Sequence, residues 1–497
     1  MMQKTFPRFT QSKANLSYII LLAPVVGVAA GVYLFVSSRM YGNGFPLDDA
    51  WIHQTYARNL ALLGQWAFIP GEPSAGSTSP LWSVLLSIGY LIRIQPLVWV
   101  YVLGGASLYG IAILGEKWYR SHFQLRFPWM GLFLAGEWHL VWASVSGMET
   151  LLYSLLILAV FCLLLKKPSR YWITGALIGL STWVRPDGVT LLGPVLFVIL
   201  LSGANLKARL VKGGQCIVGF MVAFLPYLYF NWRLAGSWWP NTFYAKQAEY
   251  AVYQQIPYLE RYLSLALLPL IGAGALLLPG LLYQGWCAVR SRDWVSISAI
   301  LWWVGYTGVY ASRLPVTYQH GRYLIPAMPV YFILGLIGIT KIIRGMKQSI
   351  KWQRIIKNTW MLIIVGVWLG FYGIGAQAYA QDVAIIETEM VASAKWISIN
   401  TPPNALIAAH DIGALGYFGG RKIIDLAGLV SPEVIPFIRD EVKLAIYLDN
   451  KHVDFLETFP GWYPYLSKLG SQVFDTNGKY SPGAGGENMR IYRWRGQ

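Results

Sequence analysis

Two adjacent carboxylates, Asp48 and Asp49, stand in the stretch GNGFPLDDAWIHQTYARN (42–59), just beyond a run apolar enough to cross a bilayer. A carboxylate beside a membrane surface is costly to keep ionised unless partners stabilise it, so such a pair is a functional candidate by default. If a reaction here needs a general base, Asp48 or Asp49 leads the choices. A local reading stands beside this one. Either residue could cap a helix starting near Ala50, along which His53, Ala57, Leu60 and Leu63 fall at helical spacing, and one could cap while the other acts.

The other residues able to do chemistry come from segments that the charge pattern, described below, places on the same side. The carboxylates are Glu72, Glu149, Asp187, Glu249 and Glu260; the cations are Arg58, Arg185, Arg233, Lys246, Arg261, Arg313 and Arg322, with His53 and His320 beside them. Arg as a bidentate fork and Lys as a point charge are what a phosphate head group needs. Snorkelling toward the interface accounts well for Arg233 and Arg261. In RPDG (185–188) an Arg and an Asp meet at a helix break, where they either finish a turn or contact a substrate. Aromatics crowd these segments too, among them Trp51, Trp82, Trp238, Tyr244 and Tyr323. They serve as an interfacial belt or as faces on which sugars stack.

The elements that must position these groups are membrane helices. The chain is 55% hydrophobic and only 13% charged, where soluble domains have about a quarter of their residues charged. Uncharged runs of about 20 residues recur, beginning with 17–38, which reads as a retained anchor rather than a cleaved signal. Basic clusters at Lys4, Arg8 and Lys13; Lys117, Arg120 and Arg126; Lys166, Lys167 and Arg170; Lys207, Arg209 and Lys212; Arg290 and Arg292; and 341–357 mark the cytoplasmic side. With these inside, about eleven spans are expected, at roughly 17–38, 97–115, 128–146, 150–165, 171–184, 188–203, 214–231, 262–284, 294–311, 323–341 and 358–378. The shorter stretch 80–92 is expected to lie at the interface or re-enter. Every polar motif then faces the outer compartment. Residues 1–379 form the membrane domain and 380–497 an extracytoplasmic α/β domain, with a helix over 382–399 and strands in ALIAAH, KIIDL, HVDFLE, QVFDT and MRIYRW.

The net charge of +17 invites a nucleic-acid reading, but residues 380–497 carry 11 basic and 13 acidic residues, so the whole excess lies in the membrane part. Positive-inside loops explain it, and no nucleic-acid partner is expected. Cys162, Cys216 and Cys287 show neither CxxC spacing nor a pairing pattern. The glycines at 413, 416, 419 and 420 lack the GxGxxG spacing of a nucleotide site.

In chain order, LDDAWIHQTYARNL, PGEPSAGSTSPLW, SGMETLL, WVRPDG, WWPNTFYAK, HGRYLIPAMP and HDIGALGYFGGRKIIDLAGLVSP together resemble the GT-C glycosyltransferases, over about residues 40–435. The resemblance is closest to the arabinofuranosyltransferase-like branch that includes terminal β-(1→2) arabinofuranosyltransferases, although Asp187 stands where that branch more often carries Glu. It implies a polyprenyl-phosphate-linked sugar donor, an active site opening outward, and an acidic residue of the first outer loop as catalytic base, here Asp48 or Asp49. It further implies that Arg185, Lys246, His320 and Arg322 line the donor phosphate or sugar. We add Arg58 to that set, with His53, Glu149, Asp187, Asn241 and Tyr244 as supporting residues. Some relatives bind a divalent cation near the acidic loop, and this is the one cofactor left open; no metal ligand set is assigned.

The expected protein is therefore a multi-pass enzyme of the inner (plasma) membrane, surrounded by membrane lipid. It moves a sugar to a hydroxyl on a cell-envelope glycan, lipid or protein, by one displacement that inverts the anomeric centre. The competing class is a transporter or flippase of an anionic lipid-linked sugar, which needs ionisable groups near the bilayer midplane. Glu137 and His139 are the one such pair, and no internal repeat accompanies them.

Overall fold

The computed structural model describes residues 8–124, 127–165, 170–202, 205–346 and 349–495. Lys4, Arg126, Lys166, Lys167 and Lys347 of the basic clusters lie outside the described residues. Among those described, five helices are long and apolar enough to cross a membrane: Tyr18–Met40, Pro96–Arg120, Leu206–Ala235, Tyr318–Gly345 and Lys351–Asn400. A sixth arises if Tyr258–Leu270 and Ala273–Ser291, bent by 94° about Gly272, count as one span. Several of the eleven expected spans fall on shorter or broken helices. The helices Thr150–Leu165, Tyr171–Thr182 and Leu192–Leu201 have 16, 12 and 10 residues, short of the ~20 needed to cross. The expected span 128–146 breaks after Ala135. There the Glu137 carboxylate accepts from the Leu140 amide at 3.2 Å and starts a new helix, Trp138–Val145.

Residues 80–92 form the 12-residue helix Pro80–Leu91, which lies against the helix Asp49–Leu63. The loop between them contains a small antiparallel hairpin of β1 (Ala67–Ile69) and β2 (Glu72–Pro73). Asn59, buried in the Asp49–Leu63 helix, donates to the carbonyls of Ala67 and Phe68, tying that loop back onto the helix.

The C-terminal sheet has strands β3 (Leu406–Ala409), β4 (Lys422–Asp425), β5 (Phe455–Thr458), β6 (Ser471–Asp475) and β7 (Arg490–Arg493) in the order β4-β3-β5-β7-β6. Each coincides with an expected strand. β3 runs parallel to β4 and β5, while β7 is antiparallel to β5 and β6. Its two faces follow the alternation of strand side chains. Ile407 and Ala409 pack with Ala394 and Ile397 of the helix Ala392–Asn400, in a core continuous with the membrane helices. Ala408 and Leu456 face the other way, with Leu444 and Leu448 of the helix Glu441–Asn450. The helix Ile350–Ile386 runs unbroken through residue 380, the boundary expected between the two domains.

Candidate active site

The Asp49–Leu63 helix starts at the acidic pair, but Asp48, at the cap position, makes no capping bond with its side chain. Its carboxylate reaches the C-terminal domain instead, accepting from the amides of Gly413 (2.6 Å) and Ala414 (2.7 Å). A Cβ at residue 413 would overlap the Asp48 carbonyl and carboxylate, so only glycine lets the two segments approach this closely. Asp48 is buried. Desolvation and the nearby Asp411 carboxylate push its pKa up to about 8, against the pull of the two amides.

Asp49 points the other way, into a cavity of about 300 Å³. Arg322 Nη2 lies 2.7 Å and Lys246 Nζ 3.3 Å from the same oxygen, Asp49 Oδ2. Both cations also donate to the Tyr323 hydroxyl, at 2.9 Å from Arg322 and 3.2 Å from Lys246. Burial pushes the Asp49 carboxyl up, but the Lys246 ammonium and the Arg322 guanidinium outweigh it and hold the group well below the usual carboxylate range. Lys246 sits on the short helix Asn241–Glu249. Arg322 follows three successive residues of left-handed backbone, Gln319, His320 and Gly321, with φ of 54°, 57° and 70°. Two of these are not glycine, a strained turn that needs outside support. His320 supplies it. Its imidazole Nε2 lies 2.8 Å from Asp382 on the Ile350–Ile386 helix, and its ring packs edge-on against Trp138 and Trp142.

The opposite wall centres on Arg185, whose fork is fully engaged. Nη1 donates to Glu149 (3.1 Å), Nε to Asp187 (3.3 Å) and Nη2 to the Tyr310 hydroxyl (2.7 Å). Asp187 also accepts from the Tyr306 and Tyr310 hydroxyls, at 2.8 and 2.7 Å. Burial raises the Glu149 carboxyl, but His53, 3.5 Å away, and Arg185 hold it down at about 2. Arg313 lines the cavity as well, donating to Gln247 at 2.9 Å and stacked 3.7 Å over the Phe243 ring. Among the described residues no carboxylate pairs with it.

The fold thus gathers Asp49, Glu149, Arg185, Asp187, Lys246 and Arg322 around one cavity. Six expected site residues are not among its lining. Asp48 is taken by the C-terminal domain. Arg58 donates to the carbonyls of Tyr417 (2.7 Å) and Gly416 (3.2 Å), fastening the same domain. His320 is spent on Asp382 and reaches the cavity only through the turn it supports. His53 stands behind Glu149, Asn241 donates to the Leu429 carbonyl, and Tyr244 packs on Phe243. Tyr306 and Tyr310 are inconspicuous in the sequence, because both lie within an apolar helix, Trp294–Arg313. Their spacing of four residues, which puts two hydroxyls on one helix face, was the available signal.

The residues around Asp49 do not suit a divalent cation. Its Oδ2 is already paired with two positive groups, and the described residues contain no group of three His, Cys, Asp or Glu side chains placed to hold a metal.

With this geometry established, comparison with known proteins shows what the chain resembles. A family model described as a domain of unknown function (DUF8728) matches residues 374–492, and no curated protein matches the chain. Among solved structures, ArnT from Cupriavidus metallidurans bound to undecaprenyl phosphate superposes with a TM-score of 0.62 at 15% identity, over 96% of this chain and 98% of that one. The oligosaccharyltransferase AglB from Archaeoglobus fulgidus, in complex with an inhibitory peptide and a dolichol-phosphate, superposes with a TM-score of 0.56 at 11% identity, over 92% and 73%. What is shared at such identities is the fold. The chain has the GT-C membrane fold that its motif order resembles.

Proposed function

We propose that the protein is a glycosyltransferase that moves a sugar from a polyprenyl-phosphate-linked donor to an acceptor hydroxyl, with Asp49 as general base. The observation that carries this reading is one carboxylate converging with Lys246 and Arg322 on a cavity beside apolar helices. Two residues lining that cavity, Thr242 and Arg322, each carry a buried atom without a hydrogen-bond partner, Oγ1 and Nε, which the oxygens of a phosphate or sugar would satisfy. The lipid phosphates bound by ArnT and AglB support a donor of this class.

In the reaction, the acceptor hydroxyl oxygen forms a bond to the anomeric carbon as its proton passes to Asp49. The bond from that carbon to the phosphate oxygen breaks, its electron pair leaving on the phosphate. Lys246, Arg322 and Arg313 offset the charge that develops there. The products are a glycoside of inverted configuration and polyprenyl phosphate. Arg185, fixed by Glu149, Asp187 and Tyr310, forms the rigid wall against which the sugar rests. We place this cavity and the C-terminal domain, residues 380–497, on the outer side of the plasma membrane, as the basic clusters direct, with an envelope glycan, lipid or protein as acceptor. The finer assignment to an arabinofuranosyltransferase-like branch rests on the motif order alone.

The test is purified protein in nanodiscs with a panel of polyprenyl-phosphate sugars. One donor is expected to yield polyprenyl phosphate and a glycoside in equal amounts. Release of neither from any donor, with envelope glycans and lipids supplied as acceptors, overturns the reading.

A further inference from the structure

We infer that in the unliganded protein Asp49 occupies the position of the donor phosphate, so that donor binding and release of the base are one exchange of a carboxylate for a phosphate. The inference rests on the reading of this cavity as a donor site and adds how that site is switched on.

The geometry is that of an internal mimic. Arg322 Nη2 and Lys246 Nζ converge on a single oxygen, Asp49 Oδ2, and the Tyr323 hydroxyl bridges the two cations from behind at 2.9 and 3.2 Å. A guanidinium and an ammonium held together in this way form a cradle for one tetrahedral anion, and a phosphate oxygen fits it at least as well as a carboxylate oxygen does. Arg322 Nε, buried and without a partner, completes a second prong that Asp49 leaves unused and that a phosphate, with more oxygens, would engage. The other anions on the wall are differently placed. Glu149 and Asp187 share Arg185, whose three nitrogens are each held among them and Tyr310, so that cluster opens only by stranding several buried charges. Asp49 has no such web. It stands in the first turn of its helix, where backbone amides favour a carboxylate that has let go of the cations.

The exchange explains how one carboxylate serves as base beside two cations. With both cations on it, Asp49 binds protons poorly. Besides them, Asp48, His53, Glu249 and Asp411 are the charged groups near enough to act on it. When the donor phosphate takes Arg322 and Lys246, Asp49 keeps its acidic neighbours Asp48, Glu249 and Asp411, loses its cations and becomes the stronger base as the sugar arrives. After transfer it passes the acceptor's proton to solvent. The recovered carboxylate then competes for the cations and helps expel polyprenyl phosphate.

Binding of undecaprenyl phosphate to the full chain in nanodiscs tests this. Asp49→Asn and Asp49→Ser are each expected to bind it about tenfold more tightly than the unmodified protein, since each removes the competing carboxylate, while losing transfer. Equal or weaker binding by folded variants, with the unmodified protein binding, overturns the exchange and leaves the donor reading standing. No binding by the unmodified protein overturns the donor reading itself. Infrared difference spectra of the unmodified protein need no variant. A shift of a carboxylate band on adding undecaprenyl phosphate is expected, and its absence with binding saturated contradicts the exchange.

Discussion

Asp48 and Asp49 are neighbours in the chain and point to opposite partners: Asp48 to the amides of Gly413 and Ala414 at 2.6 and 2.7 Å, Asp49 to Arg322 and Lys246 at 2.7 and 3.3 Å. One aspartate fastens the C-terminal domain to the Asp49–Leu63 helix, and the other faces the cavity. The same two-residue step therefore sets the reactive group and the wall behind it, and the following consequences can be measured.

Arg313 is the lining cation that holds no carboxylate among the described residues, so it meets an incoming phosphate without first giving up an ion pair. Arg313→Gln is expected to raise KM for the donor about tenfold with kcat within about threefold, the loss of roughly one charged hydrogen bond. Steady-state kinetics over donor concentration decide it; an unchanged KM places Arg313 off the donor's path.

His320 does not line the cavity, yet His320→Ala should weaken donor binding. Loss of its bond to Asp382 leaves two non-glycine residues in left-handed backbone without an anchor, at a cost of about 1–3 kcal/mol, and lets Arg322 leave its position. A several-fold rise in KM with retained fold, measured by kinetics and thermal melting, is the expected outcome. Gly321→Ala should be worse, since its Cβ would strike Leu268 as well as occupying positive φ.

Stability should fall as pH rises from about 5 to 8. Burial raises Asp48 to about 8, Asp411 and Asp425 to about 6 and Glu457 to about 8, and Glu249 and Tyr463 help to raise His410 against its desolvation. Each of these groups holds its proton more tightly folded than unfolded, so each adds stability at low pH that is lost as pH passes its folded pKa. Asp49 and Glu149 are lowered and act oppositely, but only below about pH 4.5, where they titrate in the unfolded chain. Melting temperature in detergent at constant ionic strength checks the slope; a rise toward pH 8 contradicts it.

Much of this was legible in the sequence. The strands of the C-terminal domain announce themselves by short β-branched runs between turn residues, and all five form where expected. The lining residues Asp49, Arg185, Lys246 and Arg322 stood out because ionisable groups are scarce on that face. What the sequence hid was direction. Adjacent aspartates have the same composition and the same neighbours, and only the fold, by bringing Gly413 and Ala414 up to Asp48, tells them apart. Arg58 and His320 look like phosphate ligands for the same reason, until a distant carbonyl or carboxylate claims them. Helix breaks were obscured too, because hydropathy reads a broken helix as a whole one: Glu137 resembles a buried charge in mid-helix and is in fact the cap of a new helix.

Topology offers a separate check. If the basic clusters face the cytoplasm, a reporter fused after Gln497 should be active on the outer side of the membrane. Activity in the cytoplasm would place the cavity beside nucleotide sugars and contradict an outward-facing site.

The most direct test compares Asp49→Asn and Asp48→Asn in transfer from a polyprenyl-phosphate sugar. Asp49→Asn should lower kcat by about 10²–10⁴-fold with the melting temperature nearly unchanged, the range expected for loss of a general base. Asp48→Asn, which turns an amide toward two N–H donors, should lose about 1–3 kcal/mol of stability and keep most of its turnover when folded. Full activity in Asp49→Asn, or loss of turnover confined to a folded Asp48→Asn, would contradict the account.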